Sequence, residues 1–350
     1  MLHSEKGRRD RAFCISSATN RGAIRPACRS VIWLSAFAAT LFCAEVIFAQ
    51  DAAVQLGPPL RVTVNRVSVS VTVSDAQGKF VHDLKRDDFR VYDNGLEQPV
   101  ADFLSVQDPA QVLLLIEGGP AVLFFARNHV LAADQMVASL AADDKVAIAT
   151  YTKDPQSVID FTSNKAEARQ ALREINFSQG FGELNLFDSV ARAVEVLAGI
   201  PGKKTIVLLS TGVDTSPDVD WDSLLPKLQT ADVRIIAVSL SGEIREPVKK
   251  RKLTADEKAR RAELNAGFAE GDRSLRELSQ ATGGRVYFVN KEKDFAKAYL
   301  EIADLVRHEY SLAFLPPALD GKLHELRVEV KGHGLQIEHR PSYLAAAPQK

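Results

Sequence analysis

An α/β protein, with a doubly wound and mostly parallel sheet flanked by N- and C-terminal β modules, is what this 350-residue sequence predicts. Between residues 109 and 300, Val, Ile and Leu-rich runs at 112–116, 145–151, 204–210 and 233–239 alternate with stretches of helical apolar spacing. Runs so continuously apolar suit strands covered on both faces. Upstream, Val67, Val69, Val71 and Val73 keep a period of two, as a strand with one buried face requires.

At the N-terminus, Lys6, Arg8, Arg9, Arg11, Arg21, Arg25 and Arg29 precede an apolar stretch from Val31 to Phe48. Residues 1–50 therefore read as a signal peptide with Ala49 at a plausible cleavage position, or as a membrane anchor through residues 31–48. An exported protein follows, whether periplasmic, secreted or associated with the cell envelope. Cys14, Cys28 and Cys43 all fall in this segment, so the remaining chain has no thiol, which excludes a disulfide scaffold and a cysteine nucleophile. The first 50 residues hold seven Lys or Arg and three Asp or Glu, which leaves 37 basic and 42 acidic groups and a formal net charge of −5. That balance gives no case for nucleic-acid binding.

Residues 51–108 read as the N-terminal β module. Asp75-Ala76-Gln77-Gly78 supplies a turn and Phe80-Val81 a return strand, while Asn94-Gly95 marks a hairpin because both residues tolerate positive φ. Asp87, Asp88 and Asp93 lack the spacing of a calcium loop and read as solvated turn charges. In the central region, Val130, Met136 and Leu140, with Phe124, line a first helix, 165–175 a second, 186–197 a third and 223–229 a short fourth. A charged insertion near 243–273 carries Lys249-Lys250-Arg251-Lys252 and reads as a solvated helix or loop. Residues 301–345 form the C-terminal β extension.

The order of these elements resembles the von Willebrand factor type A domain, specifically bacterial proteins that carry it. The likeness rests on the strand 113–115 and its loop, Gly182-Glu183-Leu184-Asn185-Leu186-Phe187-Asp188, Lys204 through Gly212, Val233 through Val238, and Ala281-Thr282-Gly283-Gly284 before Val286-Tyr287-Phe288. With the flanking β segments it spans roughly residues 60 to 345. The resemblance implies a metal-ion-dependent adhesion site with Asp-x-Ser-x-Ser after the first strand, a Thr in a second loop and an Asp in a third. Here the matching positions are Glu117, Gly119, Ala121, Leu184 and Thr211. Magnesium requires a compact octahedron of oxygens, and Gly119, Ala121 and Leu184 bring none from their side chains. Glu183, Asp188 and Asp214 are the neighbouring oxygens that could rescue a site. Otherwise, Asp188 reads as a cap for the helix beginning near Leu186, and Asp214 as part of a polar turn.

The loop Glu117-Gly118-Gly119-Pro120 lacks the spacing and the Lys of a phosphate loop, and Glu117 would repel phosphate. No histidine lies near Glu117 or Ser210-Thr211 in sequence, and His333 and His339 do not form a zinc motif. The expectation is a noncatalytic exported scaffold for protein binding or envelope assembly, without a cofactor and with a protein partner. The alternative is a receptor or hydrolase that holds Mg2+ or another divalent ion through Glu117 and neighbouring loop oxygens.

Overall fold

Valines at alternate positions of strand β1 (Val67–Ser74) do bury one face, with Val69, Val71 and Val73 fully inaccessible. The computed structural model describes residues 66–119, 122, 126–175, 177, 182–245, 253–289 and 292–347, within one unit, Arg61–Lys350. The signal-peptide segment, Phe124 and the run 249–252 lie outside the described residues. Past β1, the expected return strand shrinks to a single bridge between Ser74 and Phe80. A 3-10 turn (Arg86–Asp88) leads to β2 (Phe89–Asp93) and β3 (Leu96–Gln98), paired around Asn94 and Gly95, whose φ values are +46° and +82°. That is the twist-matched hairpin turn the Asn-Gly pair announces. β4 (Asp102–Leu104) ends this first β segment.

The central domain then runs β5 (Ala110–Glu117), α1 (Ala126–Ser139), β6 (Lys145–Tyr151), β7 (Pro155–Thr162), α2 (Lys165–Arg173), α3 (Leu186–Ala198), β8 (Lys203–Ser210), α4 (Trp221–Thr230), β9 (Arg234–Ser239), α5 (Ser241–Arg245), α6 (Ala255–Ala281), β10 (Val286–Phe288) and α7 (Glu292–Arg307). Its sheet has the order β10-β9-β8-β5-β6-β7, parallel throughout except for antiparallel β7. Alternation along β5 feeds two cores. Val112, Leu114 and Ile116 join Met136, Leu172 and Tyr299 on one face, while Leu113 and Leu115 join Leu186, Val190, Leu224 and Leu275 on the other. Side chains cap the helices where the sequence allows: Asn164 accepts from the Glu167 amide, Asp220 from Ser223, and Thr254 forms a reciprocal box with Glu257.

After α7 the chain returns as β11 (Glu309–Phe314), β12 (Leu323–Val330), β13 (Gln336–Glu338) and β14 (Ser342–Leu344). These strands share both remaining sheets with the N-terminal segment, in the orders β13-β1-β11-β4 and β14-β12-β2-β3. Both sheets contribute to one core of Val69, Val71, Phe89, Val91, Tyr310, Phe314, Leu326 and Val328. The two β segments thus close one sandwich, and the α/β domain is inserted between β4 and β11.

Buried polar groups tie the sandwich to the end of the α/β sheet opposite Glu117. Arg234, fully buried at the start of β9, donates to Thr72 Oγ1 at 2.7 Å and to Glu309 Oε2 at 3.3 Å. Glu309 also accepts from Ser70 Oγ at 2.8 Å, and burial raises its pKa against the opposing pull of Arg234. Lys203 Nζ donates to the carbonyls of Ser105 and Glu309. Arg340, whose pKa burial lowers to about 10, donates to Gln229 and Ala231 at the end of α4 and to Ser68 of β1. A cation against the last carbonyls of a helix also meets the negative end of its dipole.

Membrane anchorage through residues 31–48 is corrected at this point. No helix among the described residues is long and apolar enough to cross a membrane, and the stretch itself lies outside them.

Candidate functional site

The C-terminal ends of parallel strands gather loops from successive β-α connections, so the face above β5, β6 and β8 is where a ligand site is expected. Three residues meet there: Glu117 ends β5, Tyr151 ends β6 and Ser210 ends β8. The Glu117 carboxylate is fully buried and turns inward. It accepts from the Thr211 amide at 2.7 Å, the Thr211 hydroxyl at 2.8 Å and the Ser210 hydroxyl at 3.0 Å. Ser210 Oγ in turn accepts from Tyr151 at 2.7 Å and from the Gly212 amide at 2.8 Å. The donors therefore form a closed chain that ends on one carboxylate, with protein groups where water or a ligand would otherwise be needed.

Leu184 packs against Gly119 beside this arrangement. A Cβ at Gly119 would lie 3.0 Å from its Cδ2 and 3.4 Å from Glu117 Oε1, so the missing side chain at 119 is what leaves room for Leu184 there. Thr215 fixes the loop, because its hydroxyl accepts from the Leu184 amide at 2.8 Å and its amide donates to the Leu184 carbonyl.

Among the residues singled out in sequence, the fold brings Glu117, Gly119, Leu184 and Thr211 together, while Ala121 lies outside the described residues. Each candidate rescue carboxylate has another partner, although at Asp214 that holds for Oδ2 and not for the buried Oδ1. Glu183 pairs with Lys153 at 3.0 Å. Asp214 Oδ2 accepts the Phe187 amide in the first turn of α3, and Asp188 Oδ2 accepts the amides of Asp218 and Val219. The helix-capping role expected of Asp188 thus belongs to Asp214, because the loop after β8 reaches across to the exposed amides of α3. Among the described residues no group of three or more His, Cys, Asp or Glu could hold a metal ion.

A second polar cluster flanks the first. Asp272 on α6 accepts from Ser239 at 2.8 Å and Ser241 at 2.9 Å, and pairs with Arg245 at 2.9 Å. The neighbouring Gly271 lets α6 touch the loop after β8 through main chain alone, since a Cβ there would stand 2.5 Å from the Thr211 carbonyl. Tyr151 and Asp272 were not singled out from the sequence. A tyrosine ending an apolar strand and an acid on a charged helix carry no signal until the strands are aligned.

The von Willebrand factor type A domain model matches residues 130–299. The chain carries a von Willebrand factor type A domain. Solved structures similar to it include an aerotolerance-related membrane protein from Bacteroides fragilis, 12% identical, covering 56% of this chain and 98% of that one, with a TM-score of 0.41. BatB from Bacteroides thetaiotaomicron is 13% identical over 57% of this chain and 99% of its own, with a TM-score of 0.39. A von Willebrand factor type A protein from Catenulispora acidiphila is 11% identical over 81% of this chain and 75% of its own, with a TM-score of 0.42. The chain matches no curated protein.

Burial raises the Glu117 pKa above its ordinary value of 4.5, outweighing the Thr211, Ser210 and Tyr151 donors that favour the charged form. A raised carboxyl stabilises the fold below pH 4.5, and that contribution is lost as pH rises through the raised value. Glu117→Gln keeps the shape without the charge. The difference in unfolding free energy between variant and parent should therefore move in favour of the variant as pH rises from 4.5. Parallel stability curves in urea melts across that range would count against the assignment.

Proposed function

We propose that the protein is a noncatalytic, exported scaffold for protein binding or envelope assembly whose von Willebrand factor type A domain works without a divalent ion. The observation that supports this most directly is the fully buried Glu117 carboxylate, held by Thr211, Ser210 and, through Ser210, Tyr151. Binding a metal there would require breaking the hydrogen bonds from Thr211 and Ser210 to recruit a single carboxylate. Of the neighbouring carboxylates, Glu183 pairs with Lys153, and Asp188 and Asp214 each accept main-chain amides through Oδ2.

Calorimetric titration of the metal-stripped protein, residues 51–350, with magnesium, manganese and calcium should give no saturable heat at the Glu117 face. Saturable binding that disappears in Glu117→Ala, while a circular dichroism spectrum shows the variant folded, would overturn this reading in favour of a metal-dependent receptor or enzyme.

A further inference from the structure

We infer that His324 is a proton-operated clamp: with two ring protons it ties the end of β2 to the turn before β12, and the loss of one proton frees that turn. Both ring nitrogens face a carboxylate. Nδ1 lies 2.7 Å from Asp93 Oδ1, and Nε2 lies 3.2 Å from Asp320 Oδ1. An ionised carboxylate only accepts, so each contact needs a proton on the nitrogen, and a neutral imidazole has one proton for two nitrogens. Only the imidazolium satisfies both.

The two contacts differ in what can replace them. Asp93 is 1% exposed at the end of β2, so water does not take over from the ring there. The Asp320 side chain is 35% exposed and keeps a bond from the Lys322 amide at 3.0 Å. The proton that leaves is therefore the one on Nε2. Two acceptors then face each other, and Asp320 turns to water. Gly321 still donates to the Ala345 carbonyl, so the turn loosens on its β12 side alone.

The other charges around the ring come from three elements. Tyr343 of β14 places its hydroxyl 3.3 Å from Nδ1. Burial and then the Asp93 charge raise its pKa, against the charge of Arg340, so it stays a neutral phenol. In the turn, Lys322 Nζ lies 3.7 Å from Asp320 Oδ2. Glu325, next along β12, is exposed on the opposite face. Asp320 sets the acid limit of the clamp. The Lys322 amide first, and His324 with it, hold its carboxyl below the ordinary 3.8, so its contribution is present above pH 3.8 and is lost as pH falls through the lowered value. Loss of the Nε2 proton sets the alkaline limit.

Long-range proton–nitrogen spectra of the ring, with hydrogen exchange of the Gly321 and Lys322 amides, test this from acid to alkaline pH. The expected result is two ring protons on the acid side and one, on Nδ1, on the alkaline side. Across that midpoint, exchange of the two amides should quicken at least about threefold beyond its intrinsic rate. Asp320→Asn, a surface change, keeps an acceptor for the Lys322 amide without the charge. It should lower the midpoint by about half a pH unit or more, a roughly threefold loss of proton affinity, and uncouple amide exchange from the ring. A proton count that never changes, a ring that gives up its Nδ1 proton first, amide exchange that is flat through the midpoint, or a midpoint unmoved in Asp320→Asn overturns the inference. None of these results bears on metal binding at Glu117, so the two readings fail separately.

Discussion

Replacing Arg234 with alanine is expected to destabilise the protein by about 3–5 kcal/mol, the range for removing one partner of a buried ion pair. The guanidinium is fully buried, and its loss leaves Glu309 in the same interior, 1% exposed, with its charge opposed by less. Thr72 also loses its donor. Glu309→Gln alone should cost less, because an amide can still accept from Ser70 and Arg234 is also held by the Gly283 carbonyl. The double variant should be more stable than the sum of the two single losses implies, which a urea-denaturation cycle measures directly. Additive losses would mean that Arg234 and Glu309 act independently and that the junction rests on apolar packing.

Gly271→Ala should cost about 3 kcal/mol or more, the upper range for an overpacked interior. The added methyl would press on the Thr211 carbonyl at 2.5 Å and on the Gly212 main chain, with no flexible side chain to yield. Gly212, with φ +76°, cannot rotate away into a common conformation. Gly267 supplies the control on the same helix, because a Cβ added there would meet nothing within 4 Å. Gly267→Ala should therefore stabilise the helix by about 0.5–1 kcal/mol. Equal effects at the two positions in thermal melts would remove the close main-chain contact from the account.

Much of the α/β domain was legible because its signals are local. Val, Ile and Leu runs set the parallel strands, and the stripe of Leu186, Val190, Val194 and Leu197 set α3. β7 was not legible: Gln156, Ser157 and Asp160 break any alternation, and only its pairing with β6 makes it a strand. Glu117 and Thr211 were found as positions in a pattern, yet nothing in the sequence said that they would bond to each other. The interleaving of the two β segments was invisible for a related reason. Period-two valines reveal a buried face but not the partner strand, and β1 finds its neighbour β11 only beyond the whole inserted domain.

That insertion imposes an order of assembly. Val67 cannot meet Phe314 until the chain between them has been made, so the first four strands leave the ribosome as half of each sheet and wait with their edges open. The α/β domain can form earlier, from contacts within itself, and doing so brings Ala110 and Arg307 to the ends of a compact body in place of a long loose loop. Closing the sandwich then costs far less chain entropy. Forming the inserted domain first would thus shorten the effective loop that the surrounding module has to close.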